Sequence, residues 1–422
     1  VSITLFDGVT LTVEAALSAA TGSYGAWDSA LFNTATFGPD VVWTDISEWV
    51  RSVLTSRGFS RDVAAWEAGA ATIVLANSDG RFSPANLTGP YVTSGVTGIR
   101  PWRPVRVRAT YNSITYDVFS GYALAWQESW EGGGGTDRTG DAVVTVPCAD
   151  ELARLSGYDG YEQPPAGGGE TAGQRIHRIL NTAGHTGNRA VDPGRQTMQA
   201  TTLAANTTTE LKLTADSEGG ALYIAADGTV VFENQYALME NTRSNTVQAT
   251  WGDGPGELAY DEPVVSYDGD LVANIASFAA VGSTAQIATD NTSRALYGDR
   301  TEVRTDLICE TDAQALALAT WHVQRYKDPE LRVEGITVRP RNRPALLFPQ
   351  VLGRQVRDLM RVVRRPPGDH TITRDVFVSG ITHTITGGTW VTAFELWSAS
   401  PYTIYATSLW DAATWDSSLF FY

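Results

Sequence analysis

Thr44 to Pro84, TDISEWVRSVLTSRGFSRDVAAWEAGAATIVLANSDGRFSP, carries the clearest strand pattern in the chain. From Ala71 to Asn77 apolar and small residues alternate, and Asp79-Gly80 follows, a dipeptide that supplies the positive φ of a tight turn. The pattern predicts a strand that ends in a turn. Val50, Val53 and Leu54 form an earlier short apolar run, and Gly69 breaks the chain between the two. The unit reads as strand, link, strand within a β-sheet.

The rest of the composition agrees with a β-rich chain. Its 422 residues are too many for one core and predict about two to four domains. With 43% hydrophobic and 18% charged residues the chain is globular. Forty glycines, few prolines and abundant Thr and Val favour turns and strands over long helices, so the class is α+β and β-rich. A net charge of -16 argues against a sequence-independent grip on phosphate backbones. Cys148 and Cys309 stand alone, without a disulfide framework or a paired metal motif, which fits a reduced cytosolic birthplace. Residues 1 to 20 lack a basic start and a continuous apolar core, and no run of 18 apolar residues occurs, so neither a signal segment nor a membrane span is expected. The opening on Val1 suggests removal of an initiator methionine. Only Lys212 and Lys327 are lysines among 31 basic residues, a bias that points to a high-GC genome.

Further elements follow along the chain. Residues 1 to 13 suit a hairpin around Asp7-Gly8, and residues 22 to 39 look inserted. Val105, Val107 and Ala109 alternate with Arg106 and Arg108 before a turn near Asn112-Ser113, which predicts two antiparallel strands. Glu131 to Gly140 reads as a glycine-rich loop and Ala142 to Val146 as a strand. Tyr158 to Gly169 is the clearest linker. Thr171 caps a helix carrying Ala172, Ile176, Ile179, Leu180 and Ala183, which Gly184 stops. Glu210 to Ser217 fits a short helix or a strand, and Asp227-Gly228 marks a hairpin. Leu258 to Ile308 is ambiguous by period. Thr311 to Tyr326 is a capped helix ending at Asp328-Pro329, and Leu331 to Val338 and Val376 to Leu396 are strands, the latter a hairpin around Gly387-Gly388.

The strings SVLTSRGFSRD (Ser52 to Asp62) and GAATIVLANSDGRFSP (Gly69 to Pro84) resemble the opening of minor tail proteins in long-tailed phages of actinobacteria. The resemblance covers about Asp45 to Ala153 and extends more loosely to Trp397. It tips DLVANIASFAAVGS and TAQIATDNTS, within the ambiguous stretch, toward a strand, a turn and a return strand. It implies a structural virion protein made in the host cytoplasm and placed at the tail tip. Within that group the layout is similar to hub proteins that form a trimeric ring below the tail tube. The implied architecture is a first tube-like β-domain (1–157), a small mixed α/β domain (158–236), a second tube-like β-domain with one helix (237–398) and an extended aromatic arm (399–422). The implied role is adaptor and channel for genome passage, without catalysis. Implied partners are further copies in a homotrimer, the tail tube or distal tail ring, the tape measure and downstream minor tail proteins. Neither a cofactor, specific nucleic-acid binding nor stable membrane insertion is implied. A host-glycan binding tail protein, or a tail-associated cell-wall hydrolase, are the other classes considered.

Catalytic and metal motifs do not emerge. There is no G-x-S-x-G elbow and no H-E-x-x-H, and His177, His185, His322, His370 and His383 stand outside metal-ligand spacings, as surface or locally satisfied residues. AGGGET (Ala166 to Thr171) lacks the lysine of a phosphate loop and reads as linker plus cap. NSDGRF puts Leu75 where a calcium loop needs its first ligand, so it reads as a turn. The pair Asp261 and Glu262 is too ordinary here to nominate glycosidase carboxylates.

A repeat is more informative. Trp27-Asp28-Ser29-Ala30-Leu31-Phe32 recurs as Trp415-Asp416-Ser417-Ser418-Leu419-Phe420, with a partial copy at Trp410. The candidate docking residues are Trp27, Leu31, Phe32, Trp410, Trp415, Leu419 and Phe420, either as anchors on a neighbour or as a satellite core of their own subunit. Charge is also segregated: Glu210 to Glu310 holds 17 acidic and 5 basic residues, whereas Arg332 to Arg365 holds 9 Arg against Glu334 and Asp358. The two segments are either solvated faces or complementary faces between subunits.

Overall fold

A computed structural model describes residues 3–4, 8–18, 41–58, 68–130, 142–158, 165–203 and 205–400. The inserted aromatic segment near 22–39, the glycine-rich loop at 131–140 and the arm beyond Ser400 lie outside the described residues.

The strand, link, strand unit is present: Val50–Gly58 pairs antiparallel with Ala70–Ala76, and Gly80 has φ +69° at the following turn. Ile3–Thr4 and Thr10–Ala15 also pair antiparallel. In the hairpin of Arg103–Tyr111 and Ile114–Ala123, Asn112 and Ser113 both take positive φ, the geometry that matches strand twist in a two-residue turn. Val105, Val107 and Ala109 are buried, as the alternation requires. On the opposite face Arg106 and Arg108 hold Glu14 of the neighbouring strand at 2.7 and 2.6 Å. Burial pushes the Glu14 carboxyl up, but the hydrogen bonds from both guanidinium groups outweigh it and keep it below the ordinary range.

The two β-rich regions are hydrogen-bonded into one sheet. Its order is Ile3–Thr4, Thr10–Ala15, Arg103–Tyr111, Ile114–Ala123, Ala142–Ala149, Ala70–Ala76, Val50–Gly58, Ile372–Thr386, Thr389–Ser398, Leu331–Val338 and Asp261–Tyr267. The join is the antiparallel pair of Val50–Gly58 with Ile372–Thr386. Gly58 makes that join possible: its φ is +108°, and a Cβ there would lie 2.1 Å from the Ser379 carbonyl oxygen. One core runs beneath both halves, from Val13, Val107 and Val144 to Val333, Ile336 and Phe394. The helix Pro344–Gly353, which no sequence pattern announced, plugs it. Its Phe348 packs on Tyr111 from one half and on Trp390 from the other.

The mixed region carries the predicted helix Ala172–Thr182 with a complete capping box from Thr171 and Gln174. The ambiguous stretch is the helix Thr207–Glu218, capped by the Asn206 side chain and closed by left-handed Gly219. The hairpin Ala221–Ile224 and Val230–Glu233 packs against these helices through Leu222 and Phe232. The interval 237–398 contains two packed pieces. Ile275–Ala280 pairs with Gln286–Thr289 as a strand and return strand, and the helix Asp312–Tyr326 covers this small sheet with Ala315, Ala319 and Val323. That piece is hydrogen-bonded to the mixed region, where Gln199 N donates to Ile308 O and Glu310 N donates to Thr197 O, and its helix packs on the large sheet through Trp321 and through Arg325 over the Trp397 ring.

Candidate interaction site

Trp27, Leu31, Phe32, Trp410, Trp415, Leu419 and Phe420 lie outside the described residues, so the structure places none of them. It does show a junction where the two β-regions and the mixed region meet.

The helix Pro344–Gly353 ends at Arg354, and the chain then turns through Arg357, whose φ is +70°. Asp358, almost fully buried, accepts from Nε and Nη2 of Arg243, both at 2.6 Å, and from the Gln355 N–H. Arg357 reaches the other way, 2.7 Å from Glu233 on the hairpin of the mixed region. The Tyr223 hydroxyl donates to the same carboxylate, and burial together with Glu233 pushes its pKa up. A cleft of about 320 Å³ opens here, lined by Tyr116 and Asp117 of the first β-region, Asp227 of the mixed hairpin, and Arg243 and Arg357. Burial, and then the Asp227 charge, raise the pKa of Asp117. Beneath this network Arg57 donates from Nη2 to Arg354 O, while its Nε and Nη1 have no acceptor among the described residues. Burial lowers the Arg57 pKa to about 10.

Chemically this is a clamp: Arg243 is spent on Asp358 and Arg357 on Glu233, and these pairs tie together segments far apart in the chain. The same holds for the segregated charge. Arg332 bonds Asp268, Arg339 bonds Asp261, and Arg365 bonds Asp253 and Glu257, all within one chain. The acidic and basic segments therefore meet in part inside the subunit, at these pairs.

The histidines are locally engaged where they are buried. His185 accepts from Arg189 and sits 3.4 Å from Glu151, which also accepts from the Tyr122 hydroxyl. His383 lies against Thr392 and Trp390, and burial pushes its pKa down to about 3. His322 contacts the rings of Phe278 and Tyr326 and is likewise pushed down to about 3 by burial. Among the described residues no group of three or more His, Cys, Asp or Glu is placed to hold a metal ion. Cys148 and Cys309 are both free and buried.

Sequence reasoning missed the exposed apolar positions. On the first β-region Trp102 and Trp130 are 50% and 67% exposed, and at the far end of the sheet Tyr267 is 65% exposed. Pro263 was the available signal for the latter, since proline within a Val-rich strand marks an edge.

The chain is similar to the tail protein from Neisseria meningitidis MC58, with a TM-score of 0.56 at 12% identity, covering 92% of this chain and 96% of that one. It is also similar to the 43 kDa tail protein of prophage MuSo2 from Shewanella oneidensis, with a TM-score of 0.55 at 12% identity, covering 93% and 97%. At such identity the likeness is one of fold alone. No family model matches the chain, and no curated protein matches it.

Proposed function

We propose that the protein is a structural component of a phage tail, placed at the tail tip, where three copies form a hub ring below the tail tube and line the passage of the genome. The observation that carries this reading is the end-to-end match to two tail proteins, each covered over more than nine tenths of its length. The clamp at the three-region junction supports it, because a ring under mechanical load needs subunits whose parts do not shift. The charge of -16 supports a passage through which DNA slides without binding. Its partners are further copies of itself, the tail tube or distal tail ring, the tape measure and downstream minor tail proteins. The role is structural and not enzymatic. The two Trp-Asp-Ser segments dock on neighbours in this assembly.

Light scattering with negative-stain imaging tests the ring. Particles of three times the chain mass with a central hole are expected. A stable micromolar monomer that also fails to join purified tail-tube protein would overturn the hub. Tight duplex DNA binding at physiological salt would overturn the channel. A second reading, recognition of host cell-wall glycan, is favoured by the exposed Trp102 and Trp130, and glycan-array binding by the isolated protein would select it.

A further inference from the structure

Trp102 stands where a bulky residue strains the chain. Its φ is +61°, in the left-handed region that favours glycine, and its N–H donates to Ala123 O at 2.6 Å, which fixes the turn ahead of the strand Arg103–Tyr111. The ring leans on Tyr122, with 6.5 Å between centroids, and remains 50% exposed. Strain of this kind clusters at functional sites, and here it holds in solvent an indole that the core does not use. Two arginines flank it. Arg100 and Arg103 each spend Nε on a backbone carbonyl, that of Thr97 and that of Gly98, and neither forms an ion pair among the described residues. Burial, and then the Arg100 charge, lowers the Arg103 pKa. The turn presents a fixed aromatic ring between two uncompensated cations.

At the other end of the sheet order a cleft of about 300 Å³ lies among the last three strands, Thr389–Ser398, Leu331–Val338 and Asp261–Tyr267. Leu271, Tyr326 and Leu396 give it an apolar lining, and its size suits one aromatic side chain. Asp268 and Glu334 at its wall are engaged by Arg332, and Arg325 lies over the Trp397 ring. Asp270, Asp328 and Glu330 also line it, and they form no ion pair among the described residues. On a subunit of net charge -16 most surfaces repel such a rim, whereas a turn with free Arg100 and Arg103 is drawn to it. Turn and cleft belong to strands far apart in the sheet order, and Trp102 is exposed, so the chain does not join them itself.

We propose that the Trp102 turn of one copy seats in this cleft of a second copy, with Arg100 and Arg103 facing Asp270, Asp328 and Glu330. The two surfaces differ, so the contact runs head to tail, the kind that closes a ring when the rotation between copies allows it. This rests on the reading that copies assemble in a ring, and it names the surfaces through which they do so.

Light scattering and sedimentation of the full chain test it. Glycine suits a φ of +61°, so Trp102→Gly should keep or raise the urea midpoint while weakening association about tenfold or more. Reversal of the cations, Arg100→Glu with Arg103→Glu, should also weaken it, as should reversal of the carboxylates, Asp328→Arg with Glu330→Arg. All four changes together should restore it. Association unchanged in Trp102→Gly overturns the contact and leaves the indole to another ligand. Loss in each reversal without recovery in the fourfold variant overturns the pairing and gives turn and cleft to different partners. A parent chain that stays monomeric is a failure of the ring reading itself, seen before any variant is made, and the contact falls with it.

Discussion

Val50–Gly58 and Asp261–Tyr267 belong to one sheet and hold similar residues, two valines apiece at strand centre or start, yet their situations are opposite. The first is bonded on both sides, to Ala70–Ala76 and to Ile372–Thr386, and buries Val53, Thr55 and Arg57. The second is bonded on one side and exposes its valines. Strand propensity does not separate them. Their neighbours do, and for Val50–Gly58 the decisive neighbour comes from the far end of the chain.

The largest expected effect breaks the central strand. Gly58→Ala forces a Cβ against a backbone carbonyl at a positive φ, so it should cost on the order of 3–5 kcal/mol or prevent folding. Urea unfolding reads this, and a loss below about 1 kcal/mol would show that the two halves are not held through this pair. The clamp comes next. Arg357→Met leaves the partly buried Glu233 carboxylate without its cation and should cost about 3 kcal/mol, with much of that loss recovered when Glu233→Met is added. Arg57→Met should be close to neutral, because that guanidinium gives up one hydrogen bond while two of its nitrogens have no acceptor among the described residues. A double-mutant cycle separates these terms. A costly Arg57→Met would mean that the central strand draws stability from its charge.

A smaller effect concerns pH. Burial raises the pKa of Asp150 to about 7, against hydrogen bonds from the Gly69 and Leu152 N–H groups, and burial likewise raises Glu218 to about 7. In the unfolded chain both titrate near 4. Between those values the folded state binds more protons, so the contribution of each group is fully present below about pH 4 and is lost as pH rises toward 7. Asp150→Asn should flatten the fall in stability across that window while keeping the helix cap. A slope unchanged by Asp150→Asn and by Glu218→Gln would remove both carboxylates as its source.

Local elements were legible because local chemistry determines them. The Asn112-Ser113 turn, the Thr171 and Thr311 caps and the Asp227-Gly228 hairpin each rest on residues a few positions apart. Thr207–Glu218 was ambiguous because Leu211 and Leu213 fit both periods, and the αL stop at Gly219 with the Asn206 cap decides for helix. The helix Pro344–Gly353 escaped because it lacks a polar face to set its period against. The clamp was not legible at all. Arg243, Glu233, Arg357 and Asp358 carry no mutual spacing, and only the meeting of three distant segments gives them a common site. The same folding explains why the acidic and basic segments, which read as two separate faces, exchange several ion pairs within the chain.

The smallest effect sharpens the contrast most. Val264→Thr and Val265→Thr change exposed side chains on a strand bonded along one side, so each should alter the stability of the full chain by less than about 0.5 kcal/mol. Their consequence lies in association. An open edge with apolar residues pairs with other chains, and a charge placed on it suppresses such pairing. Val265→Lys should therefore lower self-association of the protein while leaving its unfolding midpoint unchanged. Sedimentation of the chain with and without Val265→Lys measures this directly. If both show the same association, the edge takes no part in it, and the difference between the central and the outermost strand is one of burial alone.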